Sequence, residues 1–239
     1  MPKAGSASST IVVLHGWTLE KAVTDKWQPF LKLLKKAGLT VHFWPLPGLA
    51  TPPKEPLHLQ NYVAWLEKKT QSLDSFILLG HSFGGQLATR FARLHPDKVA
   101  KLILIDSSGI IDHSFPKKLK RTIFKTIAKV GRTFTQSSVL RRLLYQVARE
   151  SDYYQASPTQ RQTLQNILTD EVKQDLPSIT APTLVIWGEN DRITPLQFGE
   201  TFSKAIPQAQ FVIIAKARHS PIYTHPEKVL PAVTTFLQN

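Results

Sequence analysis

The sequence predicts an α/β fold, a mostly parallel sheet of about six strands with helices on both faces and one helical insertion, and three observations predict it. Six short runs rich in Val and Ile, residues 11–14, 40–44, 75–79, 99–105, 183–187 and 210–214, are apolar along their length. Strands that do not alternate apolar with polar are covered on both faces, as in parallel sheets. Helical spacing fills the gaps between them. Trp27, Phe30, Leu31, Leu33 and Leu34 mark one helix, and Tyr62, Val63, Leu66 and Lys69 a second. A third over residues 86–95 carries Leu87, Phe91 and Leu94 and stops at Pro96, where a helix must end. Two more cover residues 196–206 and 226–237. Strand alternating with helix implies right-handed crossovers, and ligands then bind beyond the carboxyl ends of the strands. Third, residues 112–176 show helical patterns and no strand. They read as an insertion over a core made of residues 1–111 and 177–239, not as an independent domain.

A length of 239 residues suits one domain, and 42% hydrophobic with 20% charged residues suits a folded chain that buries its core without metals or disulfides. There is no cysteine, which excludes thiolate metal sites, cysteine nucleophiles and disulfides. No apolar segment has the length of a signal peptide or a membrane span, so cytoplasmic residence is the expectation. The net charge of +13 favours acidic partners and says nothing about chemistry. Neither an internal repeat nor a low-complexity tract is present, and Pro52, Pro53 and Pro56 stiffen the connection over residues 48–56.

The chemistry begins at Gly80-His81-Ser82-Phe83-Gly84, a G-x-S-x-G pattern directly after a strand and directly before a helix. A serine on so sharp a turn sits in a strained backbone, and its neighbours two residues away must be small. The turn raises the hydroxyl above the sheet and puts the Phe83 amide at a helix N-terminus, where it can stabilise an oxyanion. A serine hydroxyl needs a base, and the base needs a third group to hold its tautomer. Both follow in the order Ser, acid, His. Asp191 ends Gly188-Glu189-Asn190-Asp191 after one strand, and His219 lies in Ala217-Arg218-His219-Ser220-Pro221 after the next. Leu14-His15-Gly16-Trp17 closes the first strand; Gly16 permits close approach, so the Trp17 amide is expected as the second oxyanion donor. His15 is expected to tie down that loop.

These four motifs together, with Thr194-Pro195 after the acid, resemble the α/β-hydrolase superfamily from Thr10 to Asn239. The resemblance implies a helical cap formed by the insertion and acyl hydrolysis through an acyl-enzyme, with Ser82, Asp191 and His219 as catalytic triad. It departs from the family in two places. The loop that usually reads Asp-x-Pro-Gly-x-Gly-x-Ser is here Pro45-Leu46-Pro47-Gly48-Leu49-Ala50-Thr51, without the acidic residue and one glycine. The usual sheet has eight strands, but only ten residues precede Ile11, so a trimmed sheet of about six is expected.

Rival readings exist for each residue. Asp106 also ends a strand and could supply the acid, though Asp191 holds the usual position after the next-to-last strand. His225 precedes Pro226 and reads as the start of a helix, and His81 as packed beneath the serine turn. His42, His58, His95 and His113 read as ordinary surface or loop residues. Ten Lys and Arg residues, from Lys117 to Arg149, punctuate the insertion with no acid before Glu150. They fit the solvated face of amphipathic helices, and alternatively an electropositive cap for an acidic substrate or a carrier protein. Biotin-pathway carboxylesterases, which act on a carrier-bound ester, are similar in the His-Gly-Trp motif. No nucleic-acid or membrane partner, metal or organic cofactor is expected. The function expected is carboxylic-ester hydrolysis. Carbon–carbon bond hydrolysis of meta-cleavage-type diketones and a non-catalytic binding protein on the same scaffold are the alternatives.

Overall fold

Six strands form one all-parallel sheet in the order β2-β1-β3-β4-β5-β6 in the computed structural model, which describes residues 9–20, 22–111 and 155–238. They are β1 (Thr10–Leu14), β2 (Thr40–Phe43), β3 (Phe76–His81), β4 (Val99–Ile105), β5 (Thr183–Gly188) and β6 (Gln210–Ile214). The trimmed six-stranded sheet is therefore as expected. The expectation of strands covered on both faces holds for β1, β3, β4 and β5. β2 and β6 are edge strands and only half-buried, because each has a neighbour on one side alone.

Helices α1 (Val23–Lys36), α2 (Leu59–Lys69), α3 (Phe83–Leu94), α5 (Leu196–Ala205) and α7 (Pro226–Gln238) fall where helical spacing put them. Side chains alternate across each strand, so the sheet feeds two cores. Val12, Leu14, Leu78, Leu104 and Trp187 face α2, α3 and α5, with Tyr62, Phe91 and Phe202 on those helices. Ile11, Val13, Leu79, Ile105 and Ile186 face α1 and α7, with Trp27, Phe30 and Val233. α6 (Pro221–Thr224) is a single turn, too short to leave a period in the sequence.

Of the insertion, residues 112–154 lie outside the described residues, and with them His113, the basic run and most of the cap reading. The part described is helical, α4 (Pro158–Thr169) followed by a 3₁₀ turn (Lys173–Ser178). Ser157 caps α4 by accepting from the Gln160 amide, with Pro158 at its first position, a strong start signal. Gln160 Nε2 donates to the carbonyls of Gly48 and Leu49, and the Leu57 amide donates to Thr163 Oγ1 at 2.9 Å. α4 is thereby fastened to the stiff proline-rich loop. Among the described residues no helix is long and apolar enough to cross a membrane.

Candidate active site

β3 ends at His81, and α3 begins at Phe83, leaving Ser82 alone to make the turn. Its φ of 54° and ψ of −119° lie where a side chain is disfavoured, so surrounding bonds must hold it. The Ser82 amide donates to the Ile105 carbonyl, and the Ser82 carbonyl accepts from the amides of Gly85, Gln86 and Ser108. The two flanking glycines are required by close packing. A Cβ on Gly80 would lie 2.3 Å from the Gly84 carbonyl oxygen, and one on Gly84 the same distance from that of Leu14.

The loops after β5 and β6 bring Asp191 and His219 to this turn. His219 Nε2 is 3.0 Å from Ser82 Oγ, and its Nδ1 is 2.8 Å from Asp191 Oδ2. With the proton on Nδ1 facing the carboxylate, Nε2 offers its lone pair to the serine hydroxyl. Asp191 is saturated. Its Oδ1 accepts from the Ile193 and Thr194 amides, and its Oδ2 from the Thr194 hydroxyl at 2.7 Å as well as from His219. Burial pulls the imidazole pKa down, but the bond and charge of Asp191, helped by Asp106, outweigh it and leave His219 above its ordinary value.

Trp17 and Phe83 both line the hollow at Ser82. A Cβ on Gly16 would stand 3.0 Å from that of Ser82, so the backbone leading into Trp17 passes directly beside the serine. Phe83 is the first residue of α3, and its amide belongs to the turn whose N–H groups have no partner within the helix. His15 ties its loop down as expected. Its Nε2 accepts the Leu46 amide at 2.9 Å and its Nδ1 faces the Gly16 carbonyl at 2.7 Å. Burial lowers it to about 4, so it stays neutral.

The rivals are placed differently. His81 is buried under the turn, its ring 5.1 Å from that of His219, and burial followed by the charge of His219 keeps it neutral. His225 sits at the junction of α6 and α7. His42 is in β2 against Trp44, and His95 pairs with Glu67 at 2.7 Å, so neither is an idle surface residue.

Asp106 is close to the imidazole but makes no hydrogen bond to it. Fully buried and at φ 44°, it accepts the Gly188 amide on Oδ1 and the Ser220 amide on Oδ2, each at 2.8 Å. One carboxylate thus clamps the loop that leads to Asp191 to the residue after His219. Burial first, then the nearby Asp191 charge, push it up to about 7 against the pull of His219 and the two amides. In the sequence Asp106 reads only as a rival acid, and Thr194 only as part of a motif. Nothing local signals either bond, because the partners are 82 and 114 residues from Asp106. Asp106→Ala leaves one buried and one half-buried N–H group without acceptors and is expected to cost about 2 kcal/mol in a urea melt. An unchanged midpoint would show that the clamp carries no stability.

The chain matches the family described as "alpha/beta hydrolase fold" over residues 9–226. It is 26% identical to the pimeloyl-[acyl-carrier protein] methyl ester esterase of Vibrio vulnificus (strain YJ016), over 95% of this chain and 93% of the relative. It is 28% identical to the same-named esterase of Aromatoleum aromaticum, over 91% and 93%. Among solved structures, a thermophilic esterase from Thermogutta terrifontis aligns with a TM-score of 0.72 at 23% identity, over 96% of this chain and 89% of that one, a likeness of fold. With the six-stranded parallel sheet and the serine turn at its carboxyl rim, the chain belongs to the α/β-hydrolase fold family and is a carboxylesterase-like hydrolase.

Proposed function

We propose that this protein hydrolyses carboxylic esters through Ser82, His219 and Asp191. The observation that carries the reading is the unbroken chain of hydrogen bonds from Asp191 Oδ2 through His219 to Ser82 Oγ, 2.8 and 3.0 Å long. His219 takes the hydroxyl proton as Ser82 Oγ attacks the carbonyl carbon. The tetrahedral oxyanion is held by the Trp17 and Phe83 amides, and Asp191 steadies the imidazolium. The imidazolium returns its proton to the departing alkoxide, leaving an acyl-serine. Water, deprotonated by the same imidazole, releases the acid. No step calls on a metal or an organic cofactor.

The finer substrate reading is a carrier-protein-linked ester in the cytoplasm, supported by the names of the relatives and by the +13 charge that suits an acidic carrier. Residues 112–176 serve in it as a cap. A panel of p-nitrophenyl esters, a carrier-linked methyl ester and a meta-cleavage-type diketone tests both levels. Turnover of the esters is expected; turnover of the diketone alone would replace the reading with carbon–carbon hydrolysis.

The base must be neutral to accept the serine proton. Since His219 lies above 6.5, kcat/KM is expected to be full at higher pH and lost as pH falls, with a midpoint above that value. Asp191→Asn removes the charge that raises it and is expected to move the limb downward. A limb that stays in place would separate His219 from Asp191.

A further inference from the structure

Two hollows meet at Ser82, and their chemistry differs. The smaller, about 110 Å³, is walled mainly by apolar side chains, among them Phe83, Ile110, Leu164, Ile167 and Phe198. The larger, about 560 Å³, has Lys26, Arg192 and Arg218 in its described wall and not one carboxylate. Trp17, Ser82 and Ile193 belong to both, so the hydroxyl stands at their junction.

The positions of the two arginines follow from the chain. Arg192 is the residue after Asp191 and Arg218 the residue before His219, so the loops that deliver the relay also deliver two arginines to the lining of one hollow. Among the described residues neither has a side-chain hydrogen bond or ion pair. Lys26 differs, since its Nζ lies 3.4 Å from Glu20 and 5.2 Å above the Tyr223 ring. The other described carboxylates of these loops already accept hydrogen bonds. Asp191 is saturated, Asp106 holds Gly188 and Ser220, and Glu189 accepts the Lys216 amide. Two like charges thus belong to the wall of the hollow that Ser82 also lines, and among the described residues no carboxylate pairs with either. Both arginines are exposed to solvent, and Trp17, Val23, Trp27 and Tyr223 line the same hollow. A guanidinium is weakly hydrated, and its planar fork matches a carboxylate or phosphate.

From this arrangement we infer that the substrate is an anionic ester: Arg192 and Arg218 bind its carboxylate or phosphate in the larger hollow, while an apolar portion lies in the smaller. The inference rests on the ester-hydrolase reading and adds to it the class of substrate. It concerns a small anionic group next to the scissile carbonyl, which is separate from any charge on residues 117–149.

The test uses binding, so that it does not depend on turnover. Full-length Ser82→Ala is titrated calorimetrically at low salt with monomethyl glutarate, dimethyl glutarate and methyl 4-(phosphonooxy)butanoate. At least one anionic ester is expected to bind about tenfold or more tightly than the neutral diester, and the tighter of the two identifies the group. In Ser82→Ala carrying Arg192→Gln and Arg218→Gln, that ratio is expected to fall towards one. Equal binding of all three esters, or a ratio that survives the double replacement, would overturn the inference. Wild-type turnover of p-nitrophenyl acetate is read in parallel. A wild type that cleaves it without any preference for anions loses only the anion site, whereas one that binds anions yet cleaves no ester loses the hydrolase reading.

Discussion

Ser82→Ala is expected to reduce ester turnover by about 10⁴-fold or more while leaving the fold intact. The magnitude follows from the relay acting as a unit. Without Oγ no acyl-enzyme forms, and His219 is left with no nucleophile to activate. His219→Ala is expected to cost as much, and the double variant no more than either alone, because the groups work in one step. Steady-state rates on p-nitrophenyl acetate check this, with circular dichroism to confirm the fold. Losses that multiply in the double variant would mean that the two residues act independently.

Gly84→Ala carries the largest expected effect on stability. The new methyl group would stand 2.3 Å from the Leu14 carbonyl oxygen and 2.7 Å from that of His15. Both are backbone atoms at the end of β1, held in the sheet between β2 and β3, so neither has a rotamer to escape into. Separating α3 from β1 would also drag Ser82 away from the Gly16–Trp17 backbone. A loss of about 3 kcal/mol is expected, at the high end for overpacking, together with falling ester turnover. Gly38→Ala is the contrast, because a Cβ there meets nothing within 4 Å, although its φ of 87° still carries a strain cost. A urea melt of each variant reads the difference. A Gly84→Ala midpoint equal to that of Gly38→Ala would show that β1 and α3 can move apart freely.

Much of the architecture was legible because its causes are local. Buried parallel strands must be continuous apolar runs, and those runs place β1, β3, β4 and β5 to within a residue or two. The serine turn is written in five consecutive residues, since a strained Ser82 needs Gly80 and Gly84 on either side. Parallel strands put every β-to-α loop on one rim, so Asp191 and His219 could be brought near Ser82 by topology alone. What was not legible depends on contacts across the chain. The double grip of Asp106 arises only once β4, β5 and β6 lie side by side. Arg192 and Arg218 look like ordinary charged loop residues until the hollow they line is formed. The edge strands misled for a related reason, as β6 is apolar in sequence yet leaves Ile213 47% exposed.

Treating the wild-type chain with a fluorophosphonate and mapping the modified peptide by mass spectrometry probes the nucleophile itself. A single adduct on Ser82 is expected, absent from His219→Ala at the same exposure. A folded wild type that stays unmodified, or one modified at another residue, would contradict the assignment.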